Sequence, residues 1–258
     1  TDIIILTYGQ EDFTIKCFES ILDCTQDYRL VWVDNGSSST SRQMVMPFFL
    51  KHANRLCIWS KENLGFVKGV NLALSLTYGI HDIGAQYVVL QNNDTEVTKD
   101  WLKDLIIALE SSPEVAAAGP ITSTPSSWQG ILPVSKNQGW GLPNDLDLKN
   151  KDLVCEFLKE RFKLKTMSVQ MLAFFCTVFK RDVFQSIGKL DERFGVGFGD
   201  DDDYSLRLTK AGKKLLFVPS VYVLHHHRTT FKSVYGTNEV QKMQDNAMKV
   251  FKQKHNLK

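Results

Sequence analysis

The sequence predicts an α/β fold, with a mostly parallel central sheet and helices on both faces. Three observations carry that expectation. Short apolar runs rich in β-branched residues recur at Ile3–Leu6, Leu30–Val33, Leu56–Trp59, Tyr87–Val89 and Val115–Ala118. Such runs suit strands buried on both sides. Between them lie stretches whose apolar residues recur every three or four positions, the spacing of a helix packed on one face. Alternation of this kind implies parallel strands joined by helical crossovers. Finally, 43% of the 258 residues are hydrophobic, enough for a sizeable core and too many for a disordered chain.

The elements follow in order. The first strand ends at Thr7-Tyr8-Gly9, and a helix with Phe13, Cys17, Phe18, Ile21 and Leu22 inward comes next. The second strand ends in Asp34-Asn35-Gly36-Ser37-Ser38, a strong turn composition. An amphipathic stretch through Met44, Phe48 and Phe49 leads to the third strand. Asn63-Leu64-Gly65-Phe66 then opens a helix that closes near Gly79. The fourth strand runs into Asn92-Asn93-Asp94-Thr95-Glu96, and from Thr98 a helical pattern places Trp101, Leu102, Leu105, Ile106 and Leu109 on one side. Residues 120–165 read as loops, with Pro120, Pro125, Pro133 and Pro143, the tryptophans Trp128 and Trp140, and a short amphipathic piece from Leu153 to Phe162. Val169–Phe179 reads as one long strand. Arg181–Ile187 is a short helix closed by Gly188, and a Gly-rich bend leads to Asp200–Asp203 and a helix ending at Gly212. Leu215–Pro219 and Val221–Leu224 read as two strands, the second ending in His225-His226-His227. Asn238–His255 reads as a helix with a capping box from Asn238 to Gln241, its stripe of Val240, Met243, Ala247, Val250 and Phe251 turned to the core.

Composition narrows the function. The net charge is +2 and no basic stripe is present, which argues against nucleic acid as a partner. Five scattered cysteines without a C-x-x-C pair predict reduced thiols in a cytoplasmic setting. No apolar run approaches the ~20 residues of a membrane span. The chain opens on a strand without Met or signal peptide, as an excised part of a longer protein would. Neither a G-x-G-x-x-G nor a P-loop is present.

Polar strand ends are the candidate site, because ligands of open α/β sheets bind at the carboxyl edge. Asp94 and Glu96, with Asn92 and Asn93 before them, offer hard oxygens to a divalent ion; a helix-capping turn is the plainer alternative. Asp34 could accept a hydrogen bond from a base or ribose, or simply cap its own turn, which is the commoner role. Glycine at Gly65 lets backbone approach a ligand. The run Asp200–Asp203 suits a helix N-terminus, yet four adjacent acids also raise the pKa of at least one of them, favouring a general base. Imidazoles at a strand end suit Mn²⁺ or a phosphate.

Together, Thr7-Tyr8, Val33-Asp34-Asn35-Gly36-Ser37, Asn63-Leu64-Gly65-Phe66 with Gly69 and Asn71, Asn92-Asn93-Asp94, Gly188-Lys189-Leu190-Asp191-Glu192-Arg193-Phe194, Asp200-Asp201-x-Asp203 with Arg207, and His225 resemble the family-2 glycosyltransferases of the GT-A fold. The resemblance implies an inverting enzyme that needs Mn²⁺ or Mg²⁺ and moves a sugar from a nucleoside-diphosphate sugar, most commonly a UDP-sugar, to a hydroxyl of a saccharide or glycoconjugate acceptor. It implies that Thr7, Tyr8 and Asp34 hold base and ribose, that Asn63 and Gly65 shape the same pocket, and that Asn92 and Asn93 belong to the same donor-binding set. Asp94 and His225 would hold the metal, although the register among the three histidines is open. Asp201 would be the catalytic base. Asn92 stands where many relatives have an acid, Asp200 where a Glu is usual, and Gly9 where an Asn is common. Residues 1–119 would form the nucleotide-sugar half, 120–227 the acceptor and catalytic half, and 228–258 a helical tail. Peripheral membrane association would need segments outside this chain. The competing expectations are a catalytically silent sugar-nucleotide or carbohydrate-binding module and a sugar nucleotidyltransferase. The latter would carry a basic, Gly-rich loop where this chain has Thr7-Tyr8-Gly9-Gln10-Glu11-Asp12.

Overall fold

The computed structural model describes residues 1–79, 85–124, 127–131, 146–226 and 236–257. Pro125, Pro133, Trp140, Pro143 and His227, and residues 228–235 of the tail, lie outside the described residues. Among the described residues a sheet of nine strands runs β3-β2-β1-β4-β8-β6-β9-β5, with β7 added beside β9. The strands are β1 (Asp2–Thr7), β2 (Arg29–Asn35), β3 (Arg55–Ser60), β4 (Tyr87–Asn92), β5 (Thr95–Glu96), β6 (Val115–Thr122), β7 (Met167–Val169), β8 (Cys176–Lys180) and β9 (Lys214–His225). β1, β2, β3 and β4 are parallel to one another, and β6 is parallel to β9. β8 lies antiparallel between β4 and β6, so β6 and β9 point the same way as β1–β4. The sheet is therefore mostly parallel.

Helices cover both faces, as the sequence patterning requires. On one side, α1 (Glu11–Cys24), α2 (Ser39–Phe49) and α4 (Trp101–Leu109) bury Cys17, Phe18, Ile21, Phe49, Trp101 and Leu105 against Ile3, Ile5 and Trp32. On the other, α3 (Phe66–Gly79), α7 (Asp200–Lys210) and α8 (Thr237–His255) bury Val67, Val70, Leu74, Tyr204, Leu208 and Ala247 against Ile4, Val31 and Val88. Two shorter helices complete the set, α5 (Lys151–Phe162) and α6 (Val183–Ser186). α5 closes a smaller core of Val154, Cys155 and Leu158 with Ile121, Phe217 and Tyr222. Ile3, Ile5, Leu30 and Val31 are fully buried, the expected fate of strands sandwiched between helices.

Four local expectations are corrected. Val169–Phe179 is not one strand: it divides into β7 and β8 around a turn at 170–175, because the two ends pair with different partners, β9 and β4. The turn places Leu172, Phe174 and Phe175 in the core, so an apolar run of strand composition is spent on a buried corner. Conversely, the two strands expected around Pro219 are one, β9. Its ladder with β6 slips between Pro120 and Ile121, opposite the Val218–Tyr222 stretch, so an irregularity takes up the proline, which has no N–H to give. The helix expected from Thr98 begins at Trp101, behind Asp100 in the left-handed region. The last helix begins at Thr237 behind Gly236, with no side-chain cap from Asn238.

Candidate active site

Parallel strands bring their carboxyl ends to one edge, and the polar turns after β1, β2, β3 and β4 meet there with the end of β9. Because β8 is antiparallel, the 170–175 turn enters at the same edge, with Cys176 opposite Gln91. These pieces wall a cavity of about 780 Å³, a size that suits a small-molecule ligand. Thr7, Tyr8, Asn63, Gly65, Asn92, Asn93, Asp94, Asp201 and His225 all line it. Among the candidates singled out in the sequence, Asp34, Glu96, Asp203 and His226 stand outside it.

Asp34 is fully buried. One carboxylate oxygen accepts from the Ser37 N–H at 3.0 Å, and the other lies 2.5 Å from the Arg42 guanidinium. A buried carboxylate needs such partners, and Arg42, one helical turn into α2, supplies the charge. The carboxylate therefore holds its own turn, and it is the neighbouring Asn35 that lines the cavity. Asn35 donates to the Asn63 side chain at 2.9 Å and accepts from the Leu64 N–H at 2.9 Å. Asn63 in turn accepts from the Gly65 N–H, so the turns after β2 and β3 are tied into one wall. Glycine is required at Gly36: φ is +88°, and a Cβ there would meet the Glu62 carbonyl carbon at 2.6 Å. Gly9 donates its N–H to Ser37 Oγ at 3.0 Å, which fastens the Thr7-Tyr8 turn to the same wall.

The Asn92–Glu96 turn is held from below by α1. Thr14, Cys17 and Ser20 fall at successive three-residue steps, on one side of the helix. Thr14 Oγ1 accepts from the Asn93 amide at 3.0 Å, the Cys17 thiol reaches the Asn92 carbonyl, and Ser20 Oγ accepts from the Val97 N–H. β5 then pairs antiparallel with β9, Thr95 against His225 and Glu96 against Leu224. That register produces two acid–imidazole pairs side by side. Asp94 Oδ1 lies 3.0 Å from His225 Nε2, and Glu96 Oε1 lies 2.7 Å from His226 Nε2. His225 stacks on Phe175, with ring centroids 5.5 Å apart. Burial alone would raise the acid of Glu96, but His226 and Lys151 hold it below its usual value.

Asp94 and His225 fit one side of a divalent-ion site. They offer a hard oxygen and an imidazole nitrogen on the cavity wall. Among the described residues no group of three or more His, Cys, Asp or Glu forms a metal cage. An ion here would complete its shell with phosphate oxygens and water, the habit of Mg²⁺ in nucleotide sites.

The acid run opens α7 behind Gly199, and its members separate by environment. Asp203 is fully buried in ion pairs with Arg207 and with Lys254 and His255 of α8. Asp200 and Asp201 line the cavity. Burial pushes the acid of Asp200 well above the ordinary carboxylate range, with the charge on Asp201 adding to it. Asp201 is raised to about 6, first by burial and then by the charge on Asp202. A carboxylate poised near 6 is a competent general base at neutral pH.

Several lining residues were not read as site residues in the sequence: Thr124, Ser127, Phe174, and Val240 and Gln244 of α8. Val196–Gly199 was noticed only as a Gly-rich bend, and its position beside the acid run was the available signal. A second depression of about 840 Å³, walled by Thr1, Asp2, Tyr28 and Arg29, sits at the amino ends of the strands. That is the wrong edge for the chemistry of an open α/β sheet.

A mostly parallel sheet with this cleft has the GT-A glycosyltransferase architecture. Two solved structures share it: the mannosyltransferase PcManGT of Pyrobaculum calidifontis in complex with GDP-Man and Mn²⁺ (TM-score 0.65, 15% identity, 96% of this chain and 64% of that one), and GalNAc-T7 with UDP, GalNAc and Mn²⁺ (TM-score 0.63, 14% identity, 100% of this chain and 54% of that one). At these identities the likeness speaks to the fold. The chain belongs to glycosyl transferase family 2, whose family model matches residues 2–188; it is a glycosyltransferase of the kind that uses a nucleotide sugar. A curated relative, the N-acetylglucosaminyl-diphospho-decaprenol L-rhamnosyltransferase of Mycobacterium tuberculosis, is 24% identical over 236 residues, covering 87% of this chain and 75% of the relative. The chain spans about two thirds or less of the two solved chains. Among the described residues no helix is long and apolar enough to cross a membrane.

Proposed function

We propose that this glycosyltransferase is inverting and metal-dependent, and that it transfers a sugar from a nucleoside-diphosphate sugar to a hydroxyl of a saccharide or glycoconjugate. One observation supports this above the rest. The Asp94–His225 pair and the raised carboxylate of Asp201 share one cavity, although Asp94 stands more than a hundred positions from both of the others in sequence.

In this reading Thr7, Tyr8, Asn35, Asn63 and Gly65 hold the base and ribose, and Asn92 and Asn93 flank the diphosphate. Asp34 serves the donor site through the turn it fastens. Asp94 and His225 would hold Mn²⁺ or Mg²⁺, which when bound neutralises charge on the departing diphosphate. Asp201 takes the proton of the acceptor hydroxyl as that oxygen attacks the anomeric carbon. The nucleoside diphosphate leaves from the opposite face, so configuration inverts in a single displacement. Residues 1–119 act as the donor half, 120–227 as the acceptor and catalytic half and 228–258 as a helical tail, although β6 runs through the first boundary. The name of the mycobacterial relative makes a saccharide on a diphospholipid the first acceptor to try, and a membrane-bound acceptor of that kind would be met at the bilayer surface.

The test is nucleoside diphosphate release from UDP-, GDP- and dTDP-sugars with Mn²⁺. One nucleotide class is expected to turn over slowly to water and faster with acceptor, and to stop when the metal is chelated. Binding without any turnover would instead favour a catalytically silent module.

A further inference from the structure

The last helix is bound to the catalytic helix by a buried ionic cluster. Asp203 is fully buried. Its carboxylate faces the Lys254 ammonium at 2.8 Å and His255 Nε2 at 2.8 Å, with Arg207 at 3.4 Å. Lys254 also reaches Asp191 at 2.6 Å, a residue of the segment that leads into the Gly-rich bend. The Asp191 acid is held well below the usual carboxylate range by Arg193, against the effect of burial, and by Lys254. His255 packs against Phe251, one turn earlier, with centroids 4.8 Å apart and the rings tilted by 55°. Higher on the same helix, Ala247 packs toward Gly199, where an added Cβ would stand 3.7 Å from its methyl. Gly199 immediately precedes Asp200 and Asp201. At the far end of the helix Val240 and Gln244 form part of the cavity wall. A helix joined to the fold only by an apolar stripe would need none of these charges. A buried ion pair is weak evidence of added stability, and fixing a register is its best-attested use.

We propose that Lys254 and His255 are positioning residues of the transfer: through Asp203 and Asp191 they clamp α8 onto α7, fixing Asp201 and closing the cavity with Val240 and Gln244. The clamp acts at the base and not at the nucleotide, whose wall is built from the turns after β1, β2 and β3. The inference rests on the proposed function for its kinetic consequence, but the clamp itself is testable without any substrate.

Amide hydrogen exchange on the full chain reads the clamp directly. His255→Ala is expected to raise exchange over 199–204 and 240–252 by about tenfold or more, leaving β1–β4 unchanged. Unchanged exchange in those segments overturns the clamp. Kinetically, with the sugar nucleotide that the wild type hydrolyses, Lys254→Met and His255→Ala should lower kcat by about tenfold or more, because small misplacement of a base is expensive. The KM for that nucleotide should stay within about twofold. His255→Gln keeps a side-chain N–H donor and should recover most of the rate, which a loss of mere packing would not allow. The double variant Asp203→Asn/Lys254→Met removes one positive and one negative charge together, which limits the penalty of an uncompensated buried charge; it should still show the kcat defect. Unaltered kcat in these variants, or a parallel rise in KM, overturns the proposal. A wild type that turns over no sugar nucleotide counts against the proposed function and leaves the exchange result to decide the clamp.

Discussion

Asp201→Asn is expected to lower transfer by about 10²–10⁴-fold, while nucleoside diphosphate binding, measured by calorimetry, stays at the wild-type value. The substitution keeps shape and removes the proton acceptor. Asp201 lines the cavity, and its carboxylate accepts from the Asp202 N–H at 3.0 Å, a contact that Asn preserves through its carbonyl oxygen. The pH profile gives an independent reading of the same group. Burial and Asp202 raise its acid to about 6. A base works when deprotonated, so kcat/KM should be level above that pH and fall about tenfold per unit below it. The limb sits roughly two units above that of an ordinary aspartate, near 3.9, and it should be absent from the residual rate of Asp201→Asn. A variant that turns over normally would remove Asp201 from the chemistry.

Asp94→Asn is expected to cost about 10²–10³-fold in kcat, the scale of removing one preorganised group that stabilises developing charge. It should also raise the Mn²⁺ concentration needed for half-maximal rate. Asp94 is 8% exposed, its backbone carbonyl accepts from the His226 N–H at 2.9 Å, and its side chain faces His225. An amide there leaves the turn intact and withdraws the charge. Among the described residues no group of three or more acids, histidines or cysteines gathers at the ion, so the loss of one ligand falls on a sparse set. Two carboxylates thus carry separable losses: Asp201→Asn should leave the metal dependence untouched, and Asp94→Asn should leave the pH limb in place.

What the sequence disclosed follows from which interactions are local. Ile3–Leu6 and Leu30–Val33 are apolar on both faces, so their strand character and central place could be read directly, and the helices between them announced both layers. The site residues were legible for a related reason: strands of one direction end at one edge, so the polar turns after each had to meet. Apart from the two helix starts, at Trp101 and Thr237, the departures are non-local. Asp34 caps its own turn, the commoner of the two roles open to it, but the Arg42 that balances its charge lies inside the second crossover and could not be read from the turn. The run Val169–Phe179 has strand composition throughout, but only its partners, β9 and β4, decide where it must break. Asp94 and His225 are 131 positions apart and meet through the β5–β9 register; family resemblance, not periodicity, suggested the pair. Val240 was read as packing, and it does pack, yet the same turn of α8 also faces the cavity with Gln244.

The central claim is that Asp94 and His225 hold a metal beside the nucleotide, in a cleft closed by Asp201. Anomalous scattering from crystals grown with Mn²⁺ and the nucleoside diphosphate released from the active sugar nucleotide tests it most directly. The account predicts one strong peak within coordination distance of Asp94 and His225, with the base against Thr7, Tyr8 and Asn63. A nucleotide seated instead at the depression around Thr1, Asp2 and Arg29, or a manganese peak away from Asp94, would contradict it.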